Sequence, residues 1–308
     1  MNLSVLSFAV LLFAGPLVAV SDDLENAYQS LKEAVESKKD AAEVKKLAVD
    51  TSALARQVTT AAAPESDAEK EAWTKRVARA SEIELYAEYA LYATALQAPP
   101  ATAVDLLSTL EQQNPKSKYL DEGGYERYFL ALNQTGATAK IPAIAEKAVA
   151  NLPNSPDLLL VVAESARTRK QSDRALGYAK RLLAALNKRQ KPEGMPAADW
   201  ERKKSTALGA GHWIAGVVYF DKSQFYQADQ ELRAALPLIK GNEAMLSSAL
   251  FDLGVANFQL GKMMMNKARV LEAAKFSEQA AAIKGPLSQE AWHNAMVMKT
   301  EAGKMGAR

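Results

Sequence analysis

The chain has 308 residues, of which 48% are hydrophobic, so it can bury a core and is not a globally disordered sequence. Lysine plus arginine (38) nearly balances aspartate plus glutamate (36), which gives no overall argument for binding nucleic acid or an acidic polymer. Cysteine is absent, which excludes disulfides, thiolate catalysis and zinc–thiolate sites. Alanine is frequent and strand-type alternation is not sustained, so an all-helical protein is expected.

The N-terminus is an uncharged apolar run over residues 3–20, which ends abruptly at Ser21, Asp22 and Asp23. This pattern predicts a secretory signal peptide in residues 1–20, with Ala19 as its last residue and Ser21 as the second choice. Pro16 favours an extended segment that a peptidase can cleave. No Lys or Arg precedes the run, so an uncleaved membrane anchor and a buried core helix remain alternatives. The expected location is therefore the periplasm or the extracellular space, or the membrane if the segment is retained.

Residues 21–81 are expected to form an N-terminal helical region. Apolar residues recur at helical spacing in 23–37 and again in 40–60. The segment 61–67 has the composition of a turn, and Ser66 or Asp67 is a suitable N-cap for the next helix. That helix is predicted to continue to about Leu96, where Ala98-Pro99-Pro100 ends it.

Downstream, residue types recur with a period near 34. The expected unit is two antiparallel helices, with large residues at position 4 and small or apolar ones at 7 and 8. Glycine falls at 15 between the helices, small residues at 20 and 27 where they touch, and proline at 32. Residues 122–155 and 156–189 follow this pattern without a gap. It returns in 209–242 and 247–288, in a terminal helix from Gln289, and more weakly upstream. Residues that carry the pattern are Tyr125, Tyr128, Gly136, Ala148, Pro153, Leu159, Val162, Ala163, Ala175, Leu182, Gly216, Ala228, Ala235, Leu250, Leu253, Gly254, Gly261, Ala274, Pro286, Trp292, Ala103, Leu110 and Pro115.

These residues resemble the tetratricopeptide-repeat (TPR) family over roughly residues 82–303, with insertions at 190–208 and 262–269. The resemblance implies an all-α fold in which antiparallel helix-pair repeats stack into a right-handed TPR-like superhelix. The array is predicted to occupy residues 82–308.

In TPR proteins the first helix of each repeat lines a concave binding surface, and the resemblance carries this role onto particular residues of this chain. The N-terminal part of the surface is then polar and the C-terminal part aromatic. Aromatic side chains anchor protein interfaces well, although here they can also be buried against the chain itself. The predicted partner-binding residues are Glu126, Asn133, Glu164, Arg167, Trp213, Phe220, Phe251, Phe258 and His293. Only Asn133 and Arg167 match the residues with which chaperone-binding relatives hold a terminal carboxylate, so that activity is not expected.

The segment 187–205 is rich in basic residues, and Pro192, Gly194 and Pro196 predict a loop at its centre. It either meets an anionic partner or is a solvated linker, and Asp199 is expected to cap a following helix.

Recognisable catalytic and metal-binding motifs are absent from the sequence. His212 and His293 are far apart and belong to no zinc-binding motif, and there is no glycine-rich phosphate loop and no GxSxG. The run Met263-Met264-Met265 suits soft metals or, more commonly, the filling of packing gaps. No cofactor or metal is predicted.

The sequence therefore predicts a non-catalytic scaffold or adaptor of the cell envelope that binds a protein or peptide. An envelope enzyme with an unrecognised helical active site is an alternative, which a pocket of carboxylates with raised pKa would favour. A structural subunit of a membrane-attached assembly is another, which an uncleaved N-terminal segment would favour.

Overall fold

A computed structural model describes residues 16–192 and 194–305, with side chains from Asp22 onward. This part of the chain is all-α, without a strand, as the sequence predicts. Its helices, numbered in chain order, are α1 (Pro16–Glu36), α2 (Ala41–Thr59), α3 (Asp67–Gln97), α4 (Pro100–Gln113), α5 (Tyr125–Gln134), α6 (Ile141–Ala148), α7 (Pro156–Thr168), α8 (Ser172–Lys188), α9 (Ala197–Asp221), α10 (Phe225–Ala235), α11 (Glu243–Met263), α12 (Lys267–Ala282) and α13 (Ser288–Lys304).

The chain divides into two compact units. Unit 1 contains the described residues up to Thr138, and unit 2 contains those from Ala139. The division falls inside the predicted repeat 122–155, whereas α3 runs without a break through the predicted boundary at 81/82.

The N-terminal run is only partly described, because residues 1–15 of the predicted signal peptide lie outside the described residues. Pro16 starts α1, and its backbone is helical rather than extended as predicted. Proline is well tolerated in the first turn of a helix, where its missing N–H has no intrahelical partner to lose. Among the described residues, no helix combines the length and the apolar character that crossing a membrane requires.

The same turn follows five of the helices: α1, α5, α7, α9 and α11. One residue has positive φ in each turn: Lys38, Gly136, Lys170, Ser223 and Met265. The amide after it donates to a carbonyl five residues earlier, as Gln171 N does to Ala166 O at 2.8 Å. This is the Schellman arrangement, which satisfies the last carbonyls of a helix and reverses the chain. Gly136 and Lys170 are 34 residues apart, so the predicted period is confirmed at these two turns.

The turn at Lys38 shows that α1 and α2 form a pair of the same kind. The repeating architecture therefore begins before residue 82, where the sequence pattern first suggests it. Lysine does not mark this turn as glycine would, because it adopts positive φ only at a cost that helix packing offsets.

In unit 2, the two helices of a pair touch through small residues. A Cβ added to Gly216 on α9 would lie 2.5 Å from Leu232 Cγ on α10, and one added to Gly254 on α11 would collide with Ser277 Oγ on α12. Ala175 and Ala228, which were predicted at the same kind of contact, are fully buried. The predicted fold class is confirmed in its antiparallel helix pairs and their sequential stacking.

Unit 2 is curved, with the first helices of its pairs on the inside. Helix α9 contacts both α7 and α11 directly, and α11 contacts α13. In the described chain, the second helices α8, α10 and α12 make at most marginal contact with one another. Helices that are close on one side and separated on the other form a concave face on the close side. We call the surface of α7, α9 and α11 on this side the inner face.

Three details of the predicted repeats differ from the structure. The segment 190–208 is a loop only to Pro196, which is the N-cap residue of α9, and Asp199 lies within the first turn rather than capping the helix. Residues 262–269 span the end of α11, a short turn and the start of α12. Gly261 is inside α11 rather than between helices, and a Cβ there would lie 2.7 Å from Val270 Cγ2. Much of the sequence in the two predicted insertions, 190–208 and 262–269, therefore lies in helices rather than in loops.

Replacing Gly216 with alanine is expected to lower the free energy of unfolding by about 2 kcal/mol, because the methyl group must displace Leu232. The matched control is Gly177→Ala in α8, where a Cβ meets nothing within 4 Å. That change should raise stability by about 0.5–1 kcal/mol through helix propensity. Urea unfolding followed by circular dichroism measures both variants. Equal effects of the two substitutions would show that the α9–α10 contact is not limited by close approach.

Candidate functional site

The predicted partner-binding residues are divided between the two units. Helix α5 of unit 1 presents Glu126 and Asn133, both exposed, and Asn133 Oδ1 accepts a hydrogen bond from Thr138 at 2.8 Å. The other predicted residues lie in unit 2: Glu164 and Arg167 on α7, Trp213 and Phe220 on α9, Phe251 and Phe258 on α11, and His293 on α13.

Of the two arrangements expected for the aromatic residues, an open stripe or burial against the chain itself, the structure shows mainly burial. Trp213 is only 8% exposed and belongs to the core of unit 2, and Phe220 and Phe251 are half-buried against that core. Phe258 packs against a separate apolar cluster formed by α12 and α13. Position within the repeat fixes which way a helix face points, but neighbouring helices decide how much of a large ring stays accessible.

His293 is exposed on α13, next to Trp292, whose side chain is 60% exposed. The terminal helix buries Ala291, Ala295, Met298 and Ala302 and leaves this other side open. His293 therefore lies on an accessible surface and has no charged partner among the described residues.

Arg167 joins two first helices of the inner face. Its Nε donates to Glu164 Oε2 at 2.8 Å and its Nη2 to Glu164 Oε1 at 2.6 Å, which is a bidentate pair. The guanidinium lies over the Trp213 ring, 4.7 Å from the ring centroid, so a cation–π contact connects α7 to α9. The hydrogen bonds that it donates to Glu164 raise the pKa of Arg167 above its usual value. Three of the predicted residues thus meet in one cluster.

Two aspartates that the sequence analysis did not single out face the same arginine. Asp252 on α11 is 8% exposed, and Asp221 ends α9 on the surface. Burial, together with the negative charge of Asp221, raises the pKa of Asp252 to about 7, although Arg167 opposes the shift. No hydrogen bond or ion pair to either carboxyl occurs within the described residues. We call Glu164, Arg167, Trp213, Asp221 and Asp252 the Arg167 cluster.

A sequence signal for Asp252 does exist. It is the only charged residue between Glu243 and Lys262, in a stretch that otherwise reads as a buried helix. Aspartate is seldom fully buried without a partner, so a lone carboxyl on an apolar helix is informative. It was missed because it occupies a repeat position that the family does not use for binding.

A second buried polar group on unit 2 is fully satisfied and holds helices together. Asp229 on α10 accepts hydrogen bonds from Arg233 Nε at 2.7 Å, Asn257 Nδ2 at 2.6 Å and Arg269 Nη2 at 3.1 Å. Arg269 also donates to Asn257 Oδ1 at 2.9 Å. This polar network spans α10, α11 and α12, and its completeness indicates a structural role.

Unit 1 carries a row of tyrosines that is not visible as a sequence motif. Neighbouring rings lie 5.2–5.9 Å apart between centroids. An open depression of about 360 Å³ lies beside the middle of the row, at Tyr89. Because the members come from α1, α3 and the turn after α4, no local pattern predicts them: Tyr28, Tyr86, Tyr89, Tyr92 and Tyr119.

The remaining candidates from the sequence have structural surroundings. His212 Nδ1 lies 2.7 Å from Glu231 Oε2, which connects α9 to α10. Lys203 donates to Asp157 at 3.3 Å and Arg202 to Asp199 at 2.7 Å, so part of the basic segment is paired. Over residues 16–192 and 194–305, no group of three or more metal-ligating side chains is arranged to hold a metal ion.

No protein-family model matches the sequence. No curated protein matches it either. Among solved structures, it is similar to the crystal structure of yeast Tom70, with a TM-score of 0.40 and 11% sequence identity over 98% of this chain and 70% of that one. A likeness at this level supports no statement about function, so the site is argued from its own residues.

Replacing Asp252 with asparagine is expected to change how stability depends on pH. The folded-state pKa of about 7 lies above the usual aspartate value of 3.8, so the folded chain retains a proton that the unfolded chain loses. Stability from this group is therefore intact below about pH 4 and falls as pH rises toward 7, by up to about 4 kcal/mol. The amide introduced by Asp252→Asn cannot ionise, so the substitution removes that loss.

Urea unfolding at pH 5 and pH 8 measures this difference. The variant should gain stability over the wild type as pH rises, and the gain should level off above about pH 7. Asp173→Asn, which replaces an exposed carboxylate on α8, is the control and should show no such trend. A gain for Asp252→Asn that is the same at both pH values would contradict a buried, proton-retaining carboxyl.

Proposed function

We propose that this chain is a non-catalytic scaffold or adaptor of the TPR-like kind that binds a protein or peptide through the inner face of unit 2. The observation that carries the proposal is the curvature of unit 2, which brings α7, α9 and α11 together on a concave side. Half-buried charged and aromatic side chains lie on these helices, among them Arg167, Phe220 and Phe251. Amphipathic surfaces of this kind suit an extended or helical segment of a partner.

The proposal predicts that partner contacts are confined to the inner face. A photo-crosslinking phenylalanine analogue placed at Phe220, near the end of α9, should form an adduct with one specific protein in host cells. Tyr226, on α10 and 55% exposed, is the matched control and should not form that adduct. The same adduct from both positions, or from Tyr226 alone, would contradict binding through the inner face.

Acid–base catalysis is the second candidate function. The observation in its favour is the pKa of Asp252, which burial raises to about 7, because a carboxyl that titrates near neutral pH can act as a general acid or base. Release of new reducing ends from envelope polysaccharide by the wild type, but not by Asp252→Asn, would replace the scaffold proposal with this one. The scaffold proposal expects no release from either protein.

We further propose that the protein is exported. Support comes from the uncharged apolar run at residues 3–20 and the polar residues that end it. N-terminal sequencing and intact mass of the protein from its native host should give a start near Val20 or Asp22. Intact Met1 in the membrane fraction would indicate a tethered structural subunit, and intact Met1 in the cytosol would contradict export.

A further inference from the structure

Asp252 lowers the stability of the fold when it is ionised in its present position. Its side chain is about nine-tenths buried on α11, and the described residues provide it with no hydrogen bond and no ion pair. A buried carboxyl without a partner destabilises the fold whenever it is ionised. Asparagine or a small apolar residue in this place would avoid the penalty, so folding alone does not account for the aspartate.

The surroundings of Asp252 show which kind of group is missing. Asp221 faces it from α9 and is itself without an ion-pair partner among the described residues. Arg167 faces it from α7, but two guanidinium nitrogens already donate to Glu164 and one guanidinium face covers Trp213. The cluster therefore combines three carboxyl groups with one cation, and neither aspartate has a hydrogen-bond or ion-pair partner among the described residues.

We propose that Asp221 and Asp252 receive a basic side chain, lysine or arginine, from the peptide or protein that binds the inner face of unit 2. This inference rests on the proposed function and specifies the chemistry of the partner at one position. An ammonium or guanidinium group placed between the two carboxyls supplies the donors that both lack.

A peptide cation fits the cluster better than a metal ion. In the described part of the chain, no group of three or more metal-ligating side chains is arranged to hold an ion. A basic side chain needs only the two carboxyls as acceptors, which Asp221 and Asp252 supply.

Ionisation of Asp252 gives the proposed contact a pH dependence. The charged groups that face Asp252 are Asp221 from α9 and Arg167 from α7. No ionisable group described on α10, α12 or α13 shifts the pKa of Asp252. The carboxylate form pairs with a cation and the protonated form does not, so affinity should increase as pH rises through about 7.

The experiment is a selection of peptides from a randomised phage-displayed library on the full chain. Enriched peptides should share lysine or arginine at one fixed position. A synthetic peptide of the consensus sequence should bind the Asp252→Asn variant about 30-fold or more weakly than the wild type. Replacing the basic residue of the peptide with norleucine should weaken its binding to the wild type by the same factor. The same replacement should not weaken its binding to the variant any further. Glu201→Gln, which replaces an exposed carboxylate near the start of α9, is the control and should bind the peptide as the wild type does.

Each outcome separates the two proposals. Enrichment of peptides without a fixed basic residue, or equal binding by wild type and Asp252→Asn, would overturn the basic-side-chain site and leave the scaffold proposal standing. Absence of any enrichment on the wild type would overturn both. Circular dichroism of Asp252→Asn guards against misfolding, and Asp221→Asn provides a second, surface-located variant that should also weaken binding.

Discussion

The close approach of two helices within each pair is the contact on which the rest of unit 2 depends. Gly216 lets the backbone of α9 pack directly on Leu232 of α10, and Gly254 does the same for α11 against α12. The first helix of each pair also contacts the first helix of the next pair, so successive pairs lie closer together on that side. The curvature follows from these contacts, and with it the convergence of Arg167, Asp221 and Asp252 from three helices.

Much of the fold was predictable because the repeat imposes a regular order of residue sizes. Leu159, Val162 and Ala163 were placed on the packing side of α7 from the sequence, and all three are buried. The turns at Gly136 and Lys170 fall one period apart. The pair α1–α2 was predicted as two helices but not as part of the array, although its turn at Lys38 has the same form as the one at Lys170. Tertiary packing, rather than local preference, decides the backbone there.

The site was predictable only in part, and for a physical reason. Glu164, Arg167 and Trp213 were assigned to the binding surface from their repeat positions, and they do meet. Their meeting depends on how far neighbouring pairs rotate, which no single repeat encodes. Asp252 stands out in the sequence for a different reason. It is the only charged residue between Glu243 and Lys262 on helix α11. The tyrosine row of unit 1 comes from three distant segments and had no signal at all.

The polar network around Asp229 has a consequence for how unit 2 comes apart. In a linear repeat protein, end repeats can fray independently because each pair interacts only with its neighbours. Asp229, Asn257 and Arg269 share hydrogen bonds across α10, α11 and α12, so detaching the last pair would remove two of the three donors of Asp229 and leave it only Arg233. That penalty couples α10, α11 and α12, so the last pair does not fray from α10 independently. Helix α11 therefore keeps its place in the inner face unless these three helices open together.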